Sequence, residues 1–200
     1  MKEIFKRNVP GTTEILQKST VAVAGCGGLG SNAAVALVRS GVGSLILVDF
    51  DTVELSNLNR QYYFHNHVGM KKTEALAKLL YDINPDVNLE LHSIVLEPQM
   101  IEKLFKSADL LIEAFDKAEN KQWLIESWCR AFPDRPVVAA SGLSGMGRTE
   151  AVKVHKGGNI YLCGDEESQA EEGLCAARVA MVANMQANIA VAILTGQEEV

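Results

Sequence analysis

A glycine-rich turn between a short apolar segment and a helical segment is the feature of this sequence that most restricts its fold. Residues 20–24 (TVAVA) are apolar and β-prone, and the helical pattern of residues 29–40 ends at Gly41. Between them, residues 25–30 (GCGGLG) match the spacing G-x-G-x-x-G. This spacing lets backbone amides approach a phosphate at the amino terminus of a helix. The residues that form the predicted phosphate-binding turn are Gly25, Gly27, Gly28, Leu29 and Gly30.

A second apolar segment completes the unit that surrounds this turn. Residues 44–48 (SLILV) predict another buried strand, which ends at Asp49. A strand, a helix and a second strand in this order form a right-handed βαβ crossover with parallel strands. Asp49 stands where Rossmann domains place a carboxylate that accepts hydrogen bonds from ribose hydroxyls. The unit predicts a nucleotide, and both ATP and a nicotinamide dinucleotide remain open at this point.

Strands and helices continue to alternate along the rest of the chain. Further strands are expected at 87–95, 110–112 and 137–140, and helices at 71–81, 98–105, 119–130 and 174–194. Residues 149–155 alternate in type and predict an antiparallel strand at one edge, whereas 157–173 are polar and acidic and predict a loop. We therefore expect an α/β fold: a Rossmann-like, doubly wound, mostly parallel sheet in a single domain over 1–200, with 1–17 as an N-terminal extension.

The composition limits the partners and the compartment. The 200 residues include 19 basic and 25 acidic side chains, and the net charge of −6 disfavours a general nucleic-acid binder. The amino terminus lacks the apolar run of a signal peptide, and no apolar stretch approaches the roughly 20 residues that cross a bilayer. A cytoplasmic protein without membrane contact is expected. Four cysteines without a C-x-x-C pair favour reduced thiols.

The stretch that follows Asp49 favours ATP over a nicotinamide cofactor. Residues 49–61 (DFDTVELSNLNRQ) place an amide, Asn57, and a guanidinium, Arg60, just beyond the predicted ribose carboxylate. Arg60 offers a planar set of donors that matches phosphate oxygens. A dinucleotide oxidoreductase has no general reason to carry this combination.

Two further charged residues fit the same interpretation. Lys72 lies at the start of a predicted helix, where the helix dipole disfavours its charge and a bound phosphate would compensate it. Asp116 follows a predicted buried strand and should lie at the carboxyl edge of the sheet, where open α/β folds bind ligands. A helix-capping role is the alternative for Asp116.

An ordered set of motifs makes this sequence similar to a known family. The motifs are residues 25–31 (GCGGLGS), 49–61, 68–72 (VGMKK), 83–87 (INPDV) and 113–116 (EAFD). Together they resemble the family of ThiF, MoeB and the adenylation domains of ubiquitin-activating enzymes, over residues 18–196. The resemblance implies a nucleotidyltransferase that uses ATP and Mg²⁺ to adenylylate the C-terminal glycine of a ubiquitin-like sulfur-carrier protein and releases pyrophosphate.

The resemblance also implies the roles of individual residues. Asp49 would hold the ribose, and Asp51 would belong to the nucleotide site. The residues that would contact the phosphates are Asn57, Arg60 and Lys72, and Asp116 would hold Mg²⁺ near the α-phosphate. Such a reaction needs no strong general base, because the attacking carboxylate is already ionised. Charge neutralisation and positioning must therefore supply the catalysis.

Two more candidates come from the same resemblance. Cys175 lies at the start of the last helix, where some sulfur-carrier activators hold a reactive cysteine and where a helix amino terminus favours a thiolate. A small buried hydrophobe is the alternative reading of Cys175. Arg7 is the candidate for an arginine that relatives project into the site of a neighbouring subunit, and a solvated Arg7 is the alternative. The implied partners are a sulfur donor such as a cysteine desulfurase and a second copy in a homodimer.

The sequence departs from the family pattern in two places. Lys117 follows Asp116 where the family usually has an asparagine, and the C-x-x-C pairs that hold structural zinc in many relatives are missing, so no zinc is expected. This compact form most resembles the ThiF group, which implies a ThiS-like carrier for thiamin thiazole biosynthesis. The alternatives are a molybdopterin or cysteine-pathway carrier, an NAD-dependent oxidoreductase and a catalytically silent binding module. A related tRNA-modifying dehydratase is disfavoured because no basic surface is evident.

Overall fold

The computed structural model describes residues 3–197, so both ends of the predicted 1–200 domain lie outside the described residues. The described chain forms one sheet in the order β3-β2-β1-β4-β5-β7-β6, in which β6 alone is antiparallel to its neighbour. The strands are β1 (Thr20–Ala24), β2 (Ser44–Val48), β3 (Asn88–His92), β4 (Leu110–Glu113), β5 (Val137–Ala140), β6 (Lys153–Gly157) and β7 (Ile160–Gly164). The α-helices are α1 (Thr13–Leu16), α2 (Gly28–Ser40), α3 (Lys72–Ile83), α4 (Ile101–Leu104), α5 (Ala118–Ala131) and α6 (Ala176–Leu194).

Helices cover both faces of the sheet, which confirms the predicted doubly wound α/β fold. Along β1, Val21 and Val23 point into a core that α2, α3 and α6 close, while Ala22 and Ala24 face a second core under α4 and α5. This division follows from the period of two along a strand. Since both faces are buried, the central strands are mostly apolar, which is typical of parallel sheets.

Helix α6 is long and apolar enough to cross a membrane by length and composition alone, contrary to the expectation that no segment approaches this length. Within the fold it packs against α2 and against β4, β5 and β7. Small side chains allow the two helices to approach each other, and Ala33, Ala34, Ala183 and Ala187 all lie in the same buried cluster. The position of α6 is therefore that of a core helix.

The segment after β5 differs from the sequence prediction. The edge strand begins at Lys153 and not at 149, because Thr149–Ala151 form a short 3-10 helix. Strand β7 lies inside 157–173, which the sequence predicted as a loop. The prediction was wrong because glycines flank this short apolar run on both sides and acidic residues follow it. β7 pairs with β5 in parallel and with β6 through a tight turn at Gly158, whose φ is +60°.

The described part of the N-terminal segment is built into the fold. Phe5 and Leu16 are each 1% exposed. The described residues 3–17 therefore pack into the core through these two side chains and do not form the separate extension that the sequence predicted over 1–17. The side chain of Asn8 donates a hydrogen bond to the carbonyl of Ser40 at 2.8 Å. These contacts attach the segment to the carboxyl end of α2.

Candidate nucleotide site

The predicted nucleotide residues lie at the carboxyl edge of the sheet, where the chain leaves the paired strands β1 and β4 towards opposite faces, into α2 and α5. The amide of Ala114, just after β4, donates to the carbonyl of Ala24 at 2.9 Å. The ring of Phe115 lies beside Gly25, with its Cδ1 3.4 Å from the position that a Cβ on Gly25 would take. The strand order reverses at this point, and open α/β sheets bind their ligands in such a crevice.

The glycine turn is held by close backbone contacts that exclude larger residues. Gly25 has φ +97°, and a Cβ there would lie 2.6 Å from the carbonyl oxygen of Ala114. A Cβ on Gly30 would lie 1.8 Å from the carbonyl oxygen of Gly25. Gly27 precedes α2 and provides no side chain to cap it. The amides in the first turn of the helix therefore remain available for an anion, and Leu29 belongs to this turn.

Asp49 is fixed by two backbone amides. Its Oδ2 accepts a hydrogen bond from the amide of Cys26 at 2.6 Å, and its Oδ1 accepts one from the amide of Asp51 at 2.8 Å. Burial raises the pKa of Asp49, although both amides and the charge of Lys72 act in the opposite direction. Each carboxylate oxygen keeps a second lone pair, so Asp49 can still accept hydrogen bonds from ribose hydroxyls.

Lys72 has a carboxylate partner that the sequence analysis did not foresee. It is 6% exposed, and its Nζ lies 2.7 Å from Oδ2 of Asp51. The backbone amide of Lys72 also donates to the carbonyl of Asp51 at 2.9 Å. Asp51 therefore already balances the charge that the sequence analysis expected a bound phosphate to compensate. Lys71 is exposed, as expected for a solvated neighbour.

Asn57 and Arg60 lie in the loop that follows β2. Asn57 is 9% exposed and its Oδ1 accepts the amide of Glu54 at 2.9 Å, which leaves its Nδ2 as the group able to donate to a ligand. The stem of Arg60 packs over Gly28, with its Cγ 3.5 Å from the position of a Cβ there. Nη1 of Arg60 donates to Asn59 Oδ1 at 2.7 Å, and the other guanidinium donors remain for phosphate oxygens.

Asp116 is exposed and makes no hydrogen bond or ion pair within residues 3–197. No group of three or more histidine, cysteine or acidic side chains surrounds it in the described chain. One carboxylate is too little for a resident metal site, but Mg²⁺ is commonly bound by one or two carboxylates together with nucleotide phosphates. Asp116 thus fits a Mg²⁺ ion that arrives with ATP.

The two remaining candidates lie in different places. Cys175 is the half-buried N-cap of α6, and its carbonyl accepts the amide of Val179 at 3.0 Å. A methyl group of Val179 lies 2.9 Å from the position of a Cβ on Gly28, so Cys175 is one helical turn from a residue that touches the glycine turn. Arg7 is exposed near the carboxyl end of α2, roughly 18 Å along the helix from its first turn. Arg7 therefore lies apart from the site of its own chain.

Several residues that support the site were missed from the sequence. The hydroxyl of Tyr63 donates to the carbonyl of Cys26 at 2.7 Å and lies 3.3 Å from the carbonyl of Lys72, so it joins the glycine turn to α3. The hydroxyl of Ser31 donates to the carbonyl of Gly27 and accepts the amide of Tyr62. Asn32 donates to the carbonyls of Gly28 and Arg60. Ser31 is the last residue of the motif 25–31 and Asn32 follows it, and these positions were the only sequence signal for the two side chains.

Comparison with curated proteins gives partial matches to larger enzymes. The chain is 35% identical over 149 residues to the adenylyltransferase and sulfurtransferase MOCS3 of Xenopus laevis, covering 74% of this chain and 32% of that protein. It is 48% identical over 80 residues to ubiquitin-like modifier-activating enzyme 5 of Caenorhabditis elegans, covering 40% of this chain and 19% of that protein. The chain thus spans about a third or less of the length of the curated relatives it matches.

Comparison with solved structures supports the fold. The E. coli tRNA N6-threonylcarbamoyladenosine dehydratase TcdA, in complex with ATP, superposes with a TM-score of 0.85 at 22% identity, over 94% of this chain and 90% of that chain. E. coli MccB with ATP superposes with a TM-score of 0.75 at 22% identity, over 94% of this chain and 59% of that chain. The model of the ThiF family matches residues 4–200. With this match over nearly its whole length, the chain belongs to the ThiF family.

Proposed function

We propose that this chain is an ATP-dependent adenylyltransferase that activates the C-terminal glycine carboxylate of a ubiquitin-like protein. The observation that carries this proposal is the placement of charged side chains around the glycine turn: Arg60 packs over Gly28, and burial raises the pKa of Asp49 while the charge of Lys72 opposes this rise. Asp116 lies in the turn after β4, which contacts Gly25. The names of the relatives agree, since one is an adenylyltransferase and sulfurtransferase and the other activates a ubiquitin-like modifier. An NAD-dependent oxidoreductase would leave Arg60, Lys72 and Asp116 without a role.

The reaction that suits these residues is an in-line displacement at the α-phosphorus of ATP. A carboxylate oxygen of the carrier forms a bond to this phosphorus while the bond to the bridging oxygen breaks, and pyrophosphate leaves with that electron pair. No proton has to move. The task of the site is to bring two anions together, and Arg60, Lys72 and the amides of α2 provide the positive charge and the orientation. Asp116 would hold a Mg²⁺ ion, which supplies further positive charge at the phosphates.

Apolar side chains beside Asp49 provide a place for the adenine base. Ile94 and Val95 follow β3, and they are 37% and 60% exposed. β3 is the parallel neighbour of β2, and the amide of Asp49 donates to the carbonyl of His92 at 3.1 Å. We propose that, with the ribose on Asp49, the base would lie over the end of β3 near these two residues.

The finer identity of the carrier extends the same proposal. The resemblance to the ThiF family suggests a ThiS-like sulfur carrier of thiamin thiazole biosynthesis, with a cysteine desulfurase as the sulfur donor. The reaction at the nucleotide would be the same for a molybdopterin or cysteine-pathway carrier. The choice among carriers therefore depends on which carrier supports turnover.

ATP:pyrophosphate exchange tests the reaction and the carrier together. We expect exchange that depends on a glycine-terminated carrier, and a loss of about 100-fold or more in Arg60→Ala, Lys72→Ala and Asp116→Ala, because each removes a charge that stabilises the transition state. The measurement is incorporation of labelled pyrophosphate into ATP, with Mg²⁺ and each purified carrier in turn.

Lys71→Ala is the matched control for Lys72→Ala, because Lys71 is exposed and adjacent in sequence. It should retain exchange within about twofold, as surface substitutions usually do. ATP binding without exchange for every carrier tested would contradict the proposed reaction and favour a silent binding module.

A substitution of Cys175 distinguishes activation of the carrier from the later transfer of sulfur. We propose that the Cys175 thiolate takes a sulfane sulfur from the persulfide of a cysteine desulfurase, whose cysteine leaves as a thiolate, since α6 begins beside the glycine turn. The Cys175 persulfide then attacks the acyl adenylate of the carrier and AMP leaves. A thiol reductant cleaves the resulting acyl persulfide to the thiocarboxylate. Cys175→Ser should retain pyrophosphate exchange within about twofold and lose thiocarboxylate formation on the carrier, measured by mass spectrometry of the intact carrier. Cys129→Ser on α5 is the control. Full thiocarboxylate formation by Cys175→Ser would exclude this role.

Arg7 can act on phosphate only from a second copy of the chain, given its place at the far end of α2. We propose a homodimer that brings Arg7 of one protomer to the nucleotide of its partner. Sedimentation of the ATP-bound protein as a monomer at assay concentrations would contradict this arrangement.

A further inference from the structure

A buried ion pair closes the end of β4, three residues before Asp116. Glu113 is 0% exposed, and its carboxylate lies 2.9 and 3.2 Å from Nζ of Lys121 in α5. The same carboxylate accepts the amide of Phe115 at 2.7 Å, and the amide of Ala140 also stabilises its charge. One side chain thus holds together the turn after β4, the end of β5 and the first turns of α5.

A second buried side chain reinforces this junction from the opposite face. Gln186 of α6 is 0% exposed, and its Nε2 donates to the carbonyls of Glu113 at 2.9 Å and Val138 at 3.1 Å. β4 and β5 are paired directly only at Leu111 with Val137 and Ile112 with Val138. Beyond these pairs, the side chains of Glu113 and Gln186 connect the two strand ends.

The turn that these contacts fix is the one that carries Asp116. The amide of Phe115 is bound to Glu113, and the Phe115 ring packs between Gly25 and Trp123, with its centroid 5.8 Å from that of Trp123. Lys117 caps α5, and its carbonyl accepts the amide of Lys121 at 3.1 Å. Asp116 itself is exposed and has no partner in residues 3–197. Its position therefore depends on its neighbours.

We infer that Glu113 and Lys121 are positioning residues that set the Asp116 carboxylate for the metal-bound nucleotide. This inference rests on the proposed function of Asp116. A buried carboxylate is costly unless it is paired and hydrogen-bonded, and an apolar residue could close the same core. Unlike an apolar residue, the Glu113 carboxylate accepts a directed hydrogen bond from the backbone amide of Phe115. This bond fixes the residue that precedes Asp116.

The test compares ATP affinity with and without Mg²⁺ in the full chain. Isothermal titration calorimetry on wild type, Lys121→Met, Lys121→Arg and Asp116→Ala gives the factor by which Mg²⁺ tightens ATP binding. In Lys121→Met we expect the Mg²⁺ factor to fall about tenfold, nearly to its value in Asp116→Ala. The affinity for ATP without Mg²⁺ should change by less than about twofold. Lys121→Arg should stay within about twofold of wild type, and Arg130→Met, at the exposed far end of α5, should match wild type.

Combining Lys121→Met with Asp116→Ala shows whether Lys121 acts through Asp116. The double variant should lose no more of the Mg²⁺ factor than Asp116→Ala alone, because the residue to be positioned is gone. Three results would overturn the inference. In Lys121→Met, ATP affinity falls equally with and without Mg²⁺, or the Mg²⁺ factor stays unchanged. In the double variant, the two reductions of the Mg²⁺ factor add. If Lys121→Met fails to fold, the double variant Glu113→Gln with Lys121→Met, which removes both charges, is tested in place of the single variant.

A readout without nucleotide separates this inference from the proposed function. The chain has six phenylalanines, so NMR of the ¹⁵N-phenylalanine-labelled protein gives the Phe115 amide beside five internal references. In Lys121→Met the Phe115 resonance should shift and broaden while the other five stay, and Lys121→Arg should restore it. An unmoved Phe115 resonance would overturn the positioning role. If Mg²⁺ does not change the ATP affinity of the wild-type protein, this result would instead count against the proposed role of Asp116.

Discussion

Gly30→Ala should abolish measurable ATP binding and lower the free energy of unfolding by about 3 kcal/mol. A Cβ at this position would lie 1.8 Å from the carbonyl oxygen and 2.9 Å from the carbonyl carbon of Gly25. Both are backbone atoms, so no change of rotamer relieves the overlap, and α2 must move away from the turn. The measurements are urea denaturation and calorimetric titration with ATP.

Two neighbouring substitutions separate the fold from the phosphate site. A Cβ on Gly27 meets nothing closer than Nε2 of Gln61 at 3.8 Å, so Gly27→Ala should change the unfolding free energy by less than about 1 kcal/mol and weaken ATP binding only. Gly157→Ala, with no atom within 4 Å of its Cβ, should alter neither property. Wild-type ATP affinity in Gly30→Ala would show that close packing of the turn on α2 is not required.

Arg178→Met should lower the free energy of unfolding by about 3–5 kcal/mol at neutral pH, because it leaves a buried carboxylate without its partner. The side chains of Arg178 and Asp165 are 2% and 1% exposed, and Nη2 of Arg178 donates to Oδ2 of Asp165. Nη1 of Arg178 donates to the carbonyl of Gly147 at 2.5 Å. The substitution therefore also releases the loop after β5 from α6. Urea denaturation at pH 7 measures the loss.

The same pair predicts how stability depends on pH. Burial alone would raise the pKa of Asp165, but the amides of Ser168 and Glu167, the hydroxyl of Ser168 and Arg178 outweigh it and lower the pKa from 3.8 to about 2. A depressed carboxyl pKa contributes stability that is complete above the unfolded value and is lost as the pH falls towards the folded value. For Asp165 this is about 2 kcal/mol, lost between about pH 4 and pH 2. The acid unfolding midpoint of Arg178→Met should therefore lie at higher pH than that of wild type.

A double variant distinguishes the charge pair from side-chain packing. Asp165→Asn combined with Arg178→Met leaves no buried charge, so it should recover part of the stability that Arg178→Met loses. A double variant that is less stable than Arg178→Met would show that Asp165 stabilises the loop chiefly through the amides it accepts.

The central strands were the most predictable part of the fold. β1, β2 and β5 match their predicted bounds, because a strand buried on both faces is a short apolar run that ends at a glycine or a polar residue. The five predicted helices have ends within a few residues of their predicted bounds, whereas α1 was not predicted. β7 was missed because its apolar run of a few residues lies within polar sequence, and its pairing with β5 decides its structure.

The sequence could supply candidate residues for the site, but not the contacts among them. Asp49, Arg60 and Lys72 could be selected from motif and charge, since each chemical group suits a part of ATP. The ion pair between Asp51 and Lys72 could not be foreseen, because either charge could equally have faced solvent or ligand. The contact between Gly25 and Ala114 joins the ends of two strands far apart in sequence, and only the sheet order brings them together.

The two outer strands of the sheet limit how this chain can associate. β6 is one edge, and it is largely exposed and carries Lys153 and Lys156; β3 is the other edge, with Glu90 paired to His92. Charged side chains on an edge strand oppose hydrogen bonding to the edge of another sheet. Two copies should therefore not extend one sheet across their contact, and a dimer in solution should form through helices or loops. A homodimer with a continuous sheet across the two copies would contradict this expectation.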